Sequence, residues 1–292
     1  SIGINYSTDS EICDGLTHGM YLTLMQHLSE IGYQDRLVPA EPVISALRER
    51  KSDDEVNRMR EAIRITEGIF ADVACFIQPG QTEAEIAQYM QTQLALQGFE
   101  LAWEETVCPA VFTGPDTAGA HYAPTEKKVA RGHVLNMDFG VKYEDYCSDL
   151  QRTFYILEEG ETTAPPDVMK GFDTIVQSIA AAKAAIKPGR QGHEIDAITR
   201  GMIVEAGYEE YPHALGHQVG RFAHDGTALL GPAWEKYAQK PFRPLEPGMV
   251  FTIEPRLTIP GRGVATIEEM VVVTADGAEW LSTRQTELIL ID

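Results

Sequence analysis

The apolar residues Val56, Met59, Ile63, Phe70 and Val73 recur at helical spacing and predict one long helix over about 53–76. Its start is written in the chain. Ser52 and Glu55 fit a capping box, and Asp53 and Asp54 set negative charge in the first turn, against the positive end of the helix dipole. Ahead of it, residues 1–50 carry a short strand in SIGINYS, an amphipathic stretch in GLTHGMYLTLMQHLSEIG and a short apolar run near Leu37–Val43. That pattern is α/β-like but too small to sustain a sheet of its own. SIGINYS reads as a strand entering mid-fold, which implies a segment upstream, and LRERKSDDEV marks a boundary. The expected division is 1–50 and 51–292.

Further along, the pattern repeats. IQPGQTEAEIAQYMQTQLALQGFE at 77–100 aligns without a gap to IKPGRQGHEIDAITRGMIVEAGYE at 186–209, an offset of 109 residues. Ile77/Ile186, Pro79/Pro188, Gly80/Gly189, Glu85/Glu194, Ile86/Ile195, Gly98/Gly207 and Glu100/Glu209 coincide. Each copy reads as a helix end, a Pro-Gly turn and an amphipathic helix stopped at glycine. Each is preceded by another helix, EAIRITEGIFADVACF or GFDTIVQSIAAAKAA, and followed by strand-like runs. The expectation is a pseudo-twofold α+β domain with helices outside a curved antiparallel sheet and a site drawn from both halves.

Composition narrows the partners. The 292 residues hold 24 Lys and Arg against 44 Asp and Glu, a net charge of −20. That balance disfavours nucleic-acid phosphates and anionic membranes. No apolar run is long enough to span a bilayer. The four cysteines, Cys13, Cys75, Cys108 and Cys147, form no CxxC pair and no disulfide-like framework. They read as reduced thiols of a cytoplasmic protein.

Candidate chemistry lies in the second half: Asp138, Asp149, His217, Glu254 and Glu268. The aspartates flank a predicted hairpin whose turn falls at Tyr143–Asp145, so they face one side of adjacent strands. Glu254 follows the apolar run MVFTI, and Glu268 lies in ATIEEMVVV, where alternation allows only one of Glu268 and Glu269 to point inward. Glu268 is the one expected inside. His213, His217 and His224 form HxxxHxxxxxxH, and Gly216 and Gly220 argue against a regular helix there. Four carboxylates and an imidazole among apolar strands repel one another unless cations intervene. The set is hard and oxygen-rich, suited to two divalent ions (Mn, Co, Fe or Zn). Such a pair bridges a water, lowers its pKa and polarises a carbonyl, the chemistry of amide or ester hydrolysis.

These residues resemble the pita-bread metallopeptidases: methionine aminopeptidases, prolidases and aminopeptidases P. MDFG…YCSDLQRTF, HALGHQVGRFAHD, TIEP and TIEEMVVVT are similar to the family's signatures in order and spacing over about 51–292. VISALRERKSDDEVNRMREA resembles the linker and first helix of the prolidase and aminopeptidase P branch, which makes residues 1–50 the end of that branch's amino-terminal α/β domain. The resemblance implies a peptidase acting on Xaa-Pro bonds at or near the amino terminus of small peptides, through a hydroxide bridging two metals, in a homodimer. It also implies roles. Asp138 binds one metal, Asp149 is shared between both, His217 and Glu254 bind the other, and Glu268 bridges. Glu254 is the base. His224 holds the substrate carbonyl or oxyanion, His121 in GAHYAP contacts substrate and assists proton transfer, and His213 lines the pocket beyond the scissile bond.

Three positions depart from the pattern: Thr266 stands where proline-cleaving members often carry Arg, Asp225 follows His224 in place of Glu, and Arg256 follows Glu254–Pro255 in place of Gly. A guanidinium can clamp a substrate carboxylate, a part that Arg256 or Arg262 could take. The scaffold admits two other readings: a metal-dependent hydrolase or lyase of a non-peptide small molecule, and a metal-free binding module.

Overall fold

The structure is a computed structural model that describes residues 1–8, 10–116 and 123–292. The first segment holds β1 (Ile2–Ile4), α1 (His18–Glu30), β2 (Leu37–Pro39) and α2 (Glu41–Glu49). β1 and β2 pair in parallel, Ile2 opposite Leu37. α2 turns Ser45 and Glu49 into the protein, whereas α1 buries no side chain.

The long helix α3 spans Asp53–Phe76, as its periodicity and cap predict. The Ser52 hydroxyl accepts from the Glu55 N–H, and the Glu55 carboxylate accepts from the Ser52 N–H. There follow α4 (Glu83–Leu96), β3 (Glu100–Leu101), β4 (Ala110–Thr113), β5 (Val134–Phe139), β6 (Val141–Tyr143), β7 (Tyr146–Cys147) and β8 (Leu150–Ile156). The second half begins again with α5 (Pro166–Ala185) and α6 (Gly192–Glu205). Its strands are β9 (Gly216–His217), β10 (Leu229–Leu230), β11 (Val250–Ile253), β12 (Arg256–Ile259), β13 (Gly263–Thr266), β14 (Glu269–Val273) and β15 (Ala278–Trp280), and β16 (Ile289–Ile291) closes the chain.

The repeat is physical. α3 and α5 end, and α4 and α6 begin, 109 residues apart. Both Pro-Gly turns need a left-handed glycine, at Gly80 (φ +95°) and Gly189 (φ +84°). Each glycine N–H donates over 2.8 Å to the chain entering that half's strands, at Val129 O and Leu245 O respectively.

Each half buries its helices on its own strands. Met59, Ile63 and Phe70 of α3 join Leu135, Met137 and Phe139 of β5 in one core. Phe172, Ile175 and Ile195 of α5 and α6 join Phe251, Ile253 and Leu257 in another. Each such side chain taken from water contributes roughly 1.5–3 kcal/mol. The helices therefore lie outside and the strands inside. The sheet is not wholly antiparallel as expected. β8 pairs antiparallel with β5 but parallel with β16, because the last strand returns from the far half and enters beside β8 in β8's own direction. The halves meet at Gln151, whose backbone pairs with Asp138 on one side and bridges Glu268 on the other.

All four cysteines are free, as read from the sequence, with Cys75 alone exposed. Among the described residues no helix is long and apolar enough to cross a membrane.

Candidate metal centre

Local folding brings the five ligand-type residues together. The β6–β7 hairpin turns at Glu144 and Asp145, both at positive φ, within the predicted Tyr143–Asp145. Because Asp138 pairs with Gln151, Asp149 lies two positions away on the same face, diagonal to Asp138. Across the seam, Ile253 pairs with Glu269, so the register carried one step further sets Glu254 against Glu268. His217 is delivered by β9, whose approach is very close: a Cβ on Gly216 would lie 2.0 Å from Thr252 O. The His217 N–H donates to Thr252 Oγ1 at 3.1 Å, and that hydroxyl lies 3.3 Å from Glu254 Oε1, to which it donates.

His217 Nε2 stands 3.3 Å from Glu254 Oε1, 3.7 Å from Asp149 Oδ2 and 4.0 Å from Glu268 Oε1. Ligand-type atoms of Asp149, His217 and Glu268 all lie within 4.8 Å of one another. The four carboxylates are buried, at 3% exposure for Asp138, 5% for Asp149, 8% for Glu254 and 1% for Glu268. Burial, then the charge of Glu254, pushes Asp138 up to about 8. Burial, followed by the charges of Asp138 and Glu254, raises Asp149 well above the carboxylate range, and burial with Asp149 and Glu254 does the same to Glu268. Asp138 Oδ1 and Glu268 Oε1 are buried without a hydrogen-bond partner. Orphaned carboxylate oxygens facing one imidazole are what a divalent-cation site leaves when only protein atoms are counted. Oxygen and nitrogen donors without thiolate fit hard or borderline ions.

Residues outside the sequence reading complete the site. Gln151 Nε2 donates to Glu268 Oε2 at 3.0 Å and lies 3.5 Å from Glu254 Oε2, bracing both glutamates from the seam. Only a pairing register reveals it, since an amide inside a strand carries no motif. Glu269 is a correction. It was expected outside, yet it is 1% exposed. Alternation holds, but the opposite face is buried too: there Glu269 meets Arg152 at 3.3 Å and accepts from Gln285 N at 2.7 Å. Arg152 in turn donates to the carbonyls of Gln151 and Glu268, strapping the seam from behind. In α6, Asp196 and Arg200 form a buried ion pair; Arg200 donates to His213 O and Asp196 accepts from Leu215 N, which frames the HALGH segment.

Beside Glu254 opens a cavity of about 500 Å³, lined among others by His213, His217, His224, Lys240, Arg256 and Thr266. The His217 and His224 rings meet edge to face with centroids 4.0 Å apart. His213 Nδ1 lies 2.8 Å from Ala214 O. Arg256 is directly opposite Thr266 in the β12–β13 ladder, so the two share a face. Arg262 is elsewhere, bonded to Asp167 and to the Gly132 carbonyl. His121 lies outside the described residues.

Comparison with known proteins decides the family: the family model for metallopeptidase family M24 matches residues 57–275. The chain belongs to metallopeptidase family M24. It is 30% identical over 280 residues to the uncharacterized peptidase YqhT of Bacillus subtilis, covering 95% of this chain and 73% of that one. It is 32% identical over 256 residues to the probable dipeptidase PepE of Mycobacterium tuberculosis, covering 87% of this chain and 64% of that one. Among solved structures, the X-Pro aminopeptidase of Thermotoga maritima superposes with a TM-score of 0.80 at 27% identity, covering 94% of this chain and 73% of that one. The prolidase of Thermococcus sibiricus superposes at 0.79 with 28% identity, covering 95% and 71%. The fold is the pita-bread fold of M24, α+β with two related halves. The chain is an M24 metallopeptidase, of a family dependent on divalent metal, and its structural neighbours include prolidases and dipeptidases.

Proposed function

We propose that this M24 member hydrolyses Xaa-Pro bonds at or near the amino terminus of short peptides and that it uses two divalent ions held by Asp138, Asp149, His217, Glu254 and Glu268. In this reading residues 51–292 are the catalytic domain and residues 1–50 the end of a preceding α/β domain. The observation that carries the reading is the burial of four carboxylates, three of them within 4.0 Å of His217 Nε2, beside a cavity lined by His217 and Glu254, with Asp138 Oδ1 and Glu268 Oε1 lacking a hydrogen-bond partner.

When bound, the ions supply Lewis acidity and make a water acidic enough to ionise near neutral pH. The chain's own residues do the rest. Glu254, which lines the cavity, takes a proton from the attacking water. Thr252 and Gln151 hold its two carboxylate oxygens and so fix its direction. His224, 4.0 Å ring to ring from His217, donates to the carbonyl oxygen as negative charge develops there. His213 walls the cavity on the leaving-group side. Arg256 and Lys240 are the basic side chains of the cavity wall and receive the substrate carboxylate, Arg256 in the place where Thr266 offers no charge.

The test is hydrolysis by Mn²⁺-reconstituted protein of a Xaa-Pro dipeptide, a Xaa-Pro-Yaa tripeptide and a control without proline, with bound metal counted in parallel. Cleavage of the proline substrates alone supports the proposal, and the preferred length separates dipeptidase from aminopeptidase action. Stoichiometric metal with no peptide cleaved overturns the peptide reading in favour of a non-peptide substrate. No metal under any condition overturns the two-metal site.

A further inference from the structure

His217 and His224 are brought together by a loop that closes on itself. The Asp225 N–H donates to Gln218 O at 2.9 Å, and the Gly220 N–H donates to Phe222 O at 3.0 Å. Inside the loop the Asp225 carboxylate accepts from the Arg221 N–H at 2.6 Å. Gly220 leaves room for it, since a Cβ there would lie 2.4 Å from Asp225 Oδ2 and 2.9 Å from Lys51 Cε.

The other oxygen of Asp225 leaves the loop. It accepts from Arg48 Nε at 2.7 Å, with the aspartate side chain 1% exposed and the arginine 26%. Arg48 stands in the last turn of α2, 177 residues upstream. Its neighbours grip the same loop. Glu49 accepts from the Thr227 N–H at 2.7 Å, Ser45 and Thr227 hydroxyls lie 3.1 Å apart, and Lys51 Nζ reaches Asp225 O at 3.5 Å. Lys51 N in turn donates to Gly248 O, which ties this junction to the strand leading to Glu254. The end of α2 and the residues just after it thus hold Asp225 and Thr227, immediately beyond His224, at four points.

We propose that Arg48 is a positioning residue of the active site: through Asp225 it sets the place of the His224 ring beside His217. The inference rests on the role given to His224 above for its effect on turnover, but not for its structural content. A buried carboxylate that loses a cationic hydrogen-bond partner rotates or draws in water, and His224 is its immediate neighbour in sequence. Misplacing a catalytic group by about 1 Å costs up to about a hundredfold in rate.

The experiment uses the full chain with Arg48→Ala, Arg48→Lys and, as a control in the same segment, Arg36→Ala, whose exposed guanidinium stacks on Tyr33 at 5.0 Å. Three quantities are read: bound metal, kcat and KM for the preferred proline peptide, and the ring resonances of ¹⁵N-histidine-labelled, zinc-loaded protein with His224 assigned through His224→Gln. Arg48→Ala is expected to keep its metal, to lower kcat by about tenfold to a hundredfold with KM changed less, and to shift the His224 resonance while that of His193 stays. Arg48→Lys is expected to recover part of kcat, because one N–H donor suffices for a single-point contact, and Arg36→Ala to match the parent. A His224 resonance and kcat unchanged in Arg48→Ala overturn the proposal. So does equal damage in Arg36→Ala, which indicates general destabilisation of the segment. If the parent cleaves no peptide, the resonance alone decides: a shift upholds the positioning role while the peptidase reading falls. Should Arg48→Ala fail to fold, Asp225→Asn removes the same charge pair at constant size and is read identically.

Discussion

Asp138 and Glu254 occupy equivalent places in the two halves of the molecule. They are 116 residues apart, the same interval that separates Val129 from Leu245, the two carbonyls bound by the Pro-Gly turns, and Gly132 from Gly248, the two left-handed glycines at the entry to their strands. Each acidic residue follows its glycine by six positions and lies at the far end of an inner strand, Asp138 next to last in β5 and Glu254 just after β11. The site is thus a doubled element closed on itself, and this explains why its carboxylates face one another. Two copies of an inner strand carrying an acid meet across a pseudo-twofold axis by bringing like charges together, a conflict that protons or cations between them relieve.

Asp149 and Glu268 lie where the two copies join, and replacing either by Ala should abolish stoichiometric metal binding and, with it, turnover. Gln151 gives the finer test. It bonds Glu268 and Glu254 without being a ligand itself, so Gln151→Ala should retain metal at saturating concentration but weaken its affinity by about tenfold to a hundredfold. Metal titrations of the two classes of variant separate them. Tight binding by Asp149→Ala, or an unaltered affinity in Gln151→Ala, removes these residues from the site.

The metal-free protein should lose stability as pH rises from about 4 to about 8. Asp138, pushed up to about 8, and Asp149 and Glu268, also raised, hold protons in the folded state that the unfolded chain has released above about 4. Unfolding then releases protons, so the slope is negative, up to about 1.4 kcal/mol per pH unit for each such group. Divalent ions displace those protons and should flatten the profile. Melting curves of chelated protein at several pH values, with and without metal, measure this. Asp138→Asn should be less steep than the parent when chelated; an equal slope in both excludes Asp138 as a source.

The cluster of candidate ligand residues was legible in the sequence because acids inside β-branched strands have few explanations, and the long helix because Ser52 and Glu55 cap a clean apolar period. The repeat was legible because both Pro-Gly turns need glycine at positive φ, at Gly80 and Gly189, which fixes the two copies in register. What could not be read depends on register. Gln151 has no chemical signature until strand pairing sets it between Asp138 and Glu268. Glu269 was assigned outside because alternation tells which faces differ but not whether the second face is covered, and here Arg152, Ser282 and Gln285 cover it. The grip of α2 on Asp225 spans 177 residues, a distance over which a single sequence carries no pairing information.

Glu269 and Arg152 form a buried pair behind the seam, and breaking it should cost about 3–5 kcal/mol, because Arg152 is left as an uncompensated buried charge. Glu269→Ala should also weaken metal binding, since Arg152 holds the carbonyls of Gln151 and Glu268. Urea unfolding of the metal-free parent and variant reads the first effect and metal titration the second. A stability loss below about 1 kcal/mol, the range of exposed pairs, would show that the pair is not the strap described.

Arg256 faces the cavity from the position opposite Thr266, and a guanidinium there can receive a carboxylate in two parallel hydrogen bonds. Hydrogen bonds to charged groups contribute roughly 1.5–3 kcal/mol, which corresponds to about tenfold to more than a hundredfold in affinity. Arg256→Ala should therefore raise KM for a free Xaa-Pro dipeptide by about that factor while leaving the Xaa-Pro amide, which has no carboxylate, nearly unaffected. Arg262→Ala, remote from the cavity and held by Asp167 and Gly132, should leave both substrates unchanged. Moving the charge back across the ladder, with Arg256→Thr combined with Thr266→Arg, should recover discrimination between acid and amide, because opposite residues of an antiparallel pair share one face. Equal effects of Arg256→Ala on the dipeptide and its amide would assign Arg256 to the scaffold and leave Lys240 as the group that reads the carboxylate.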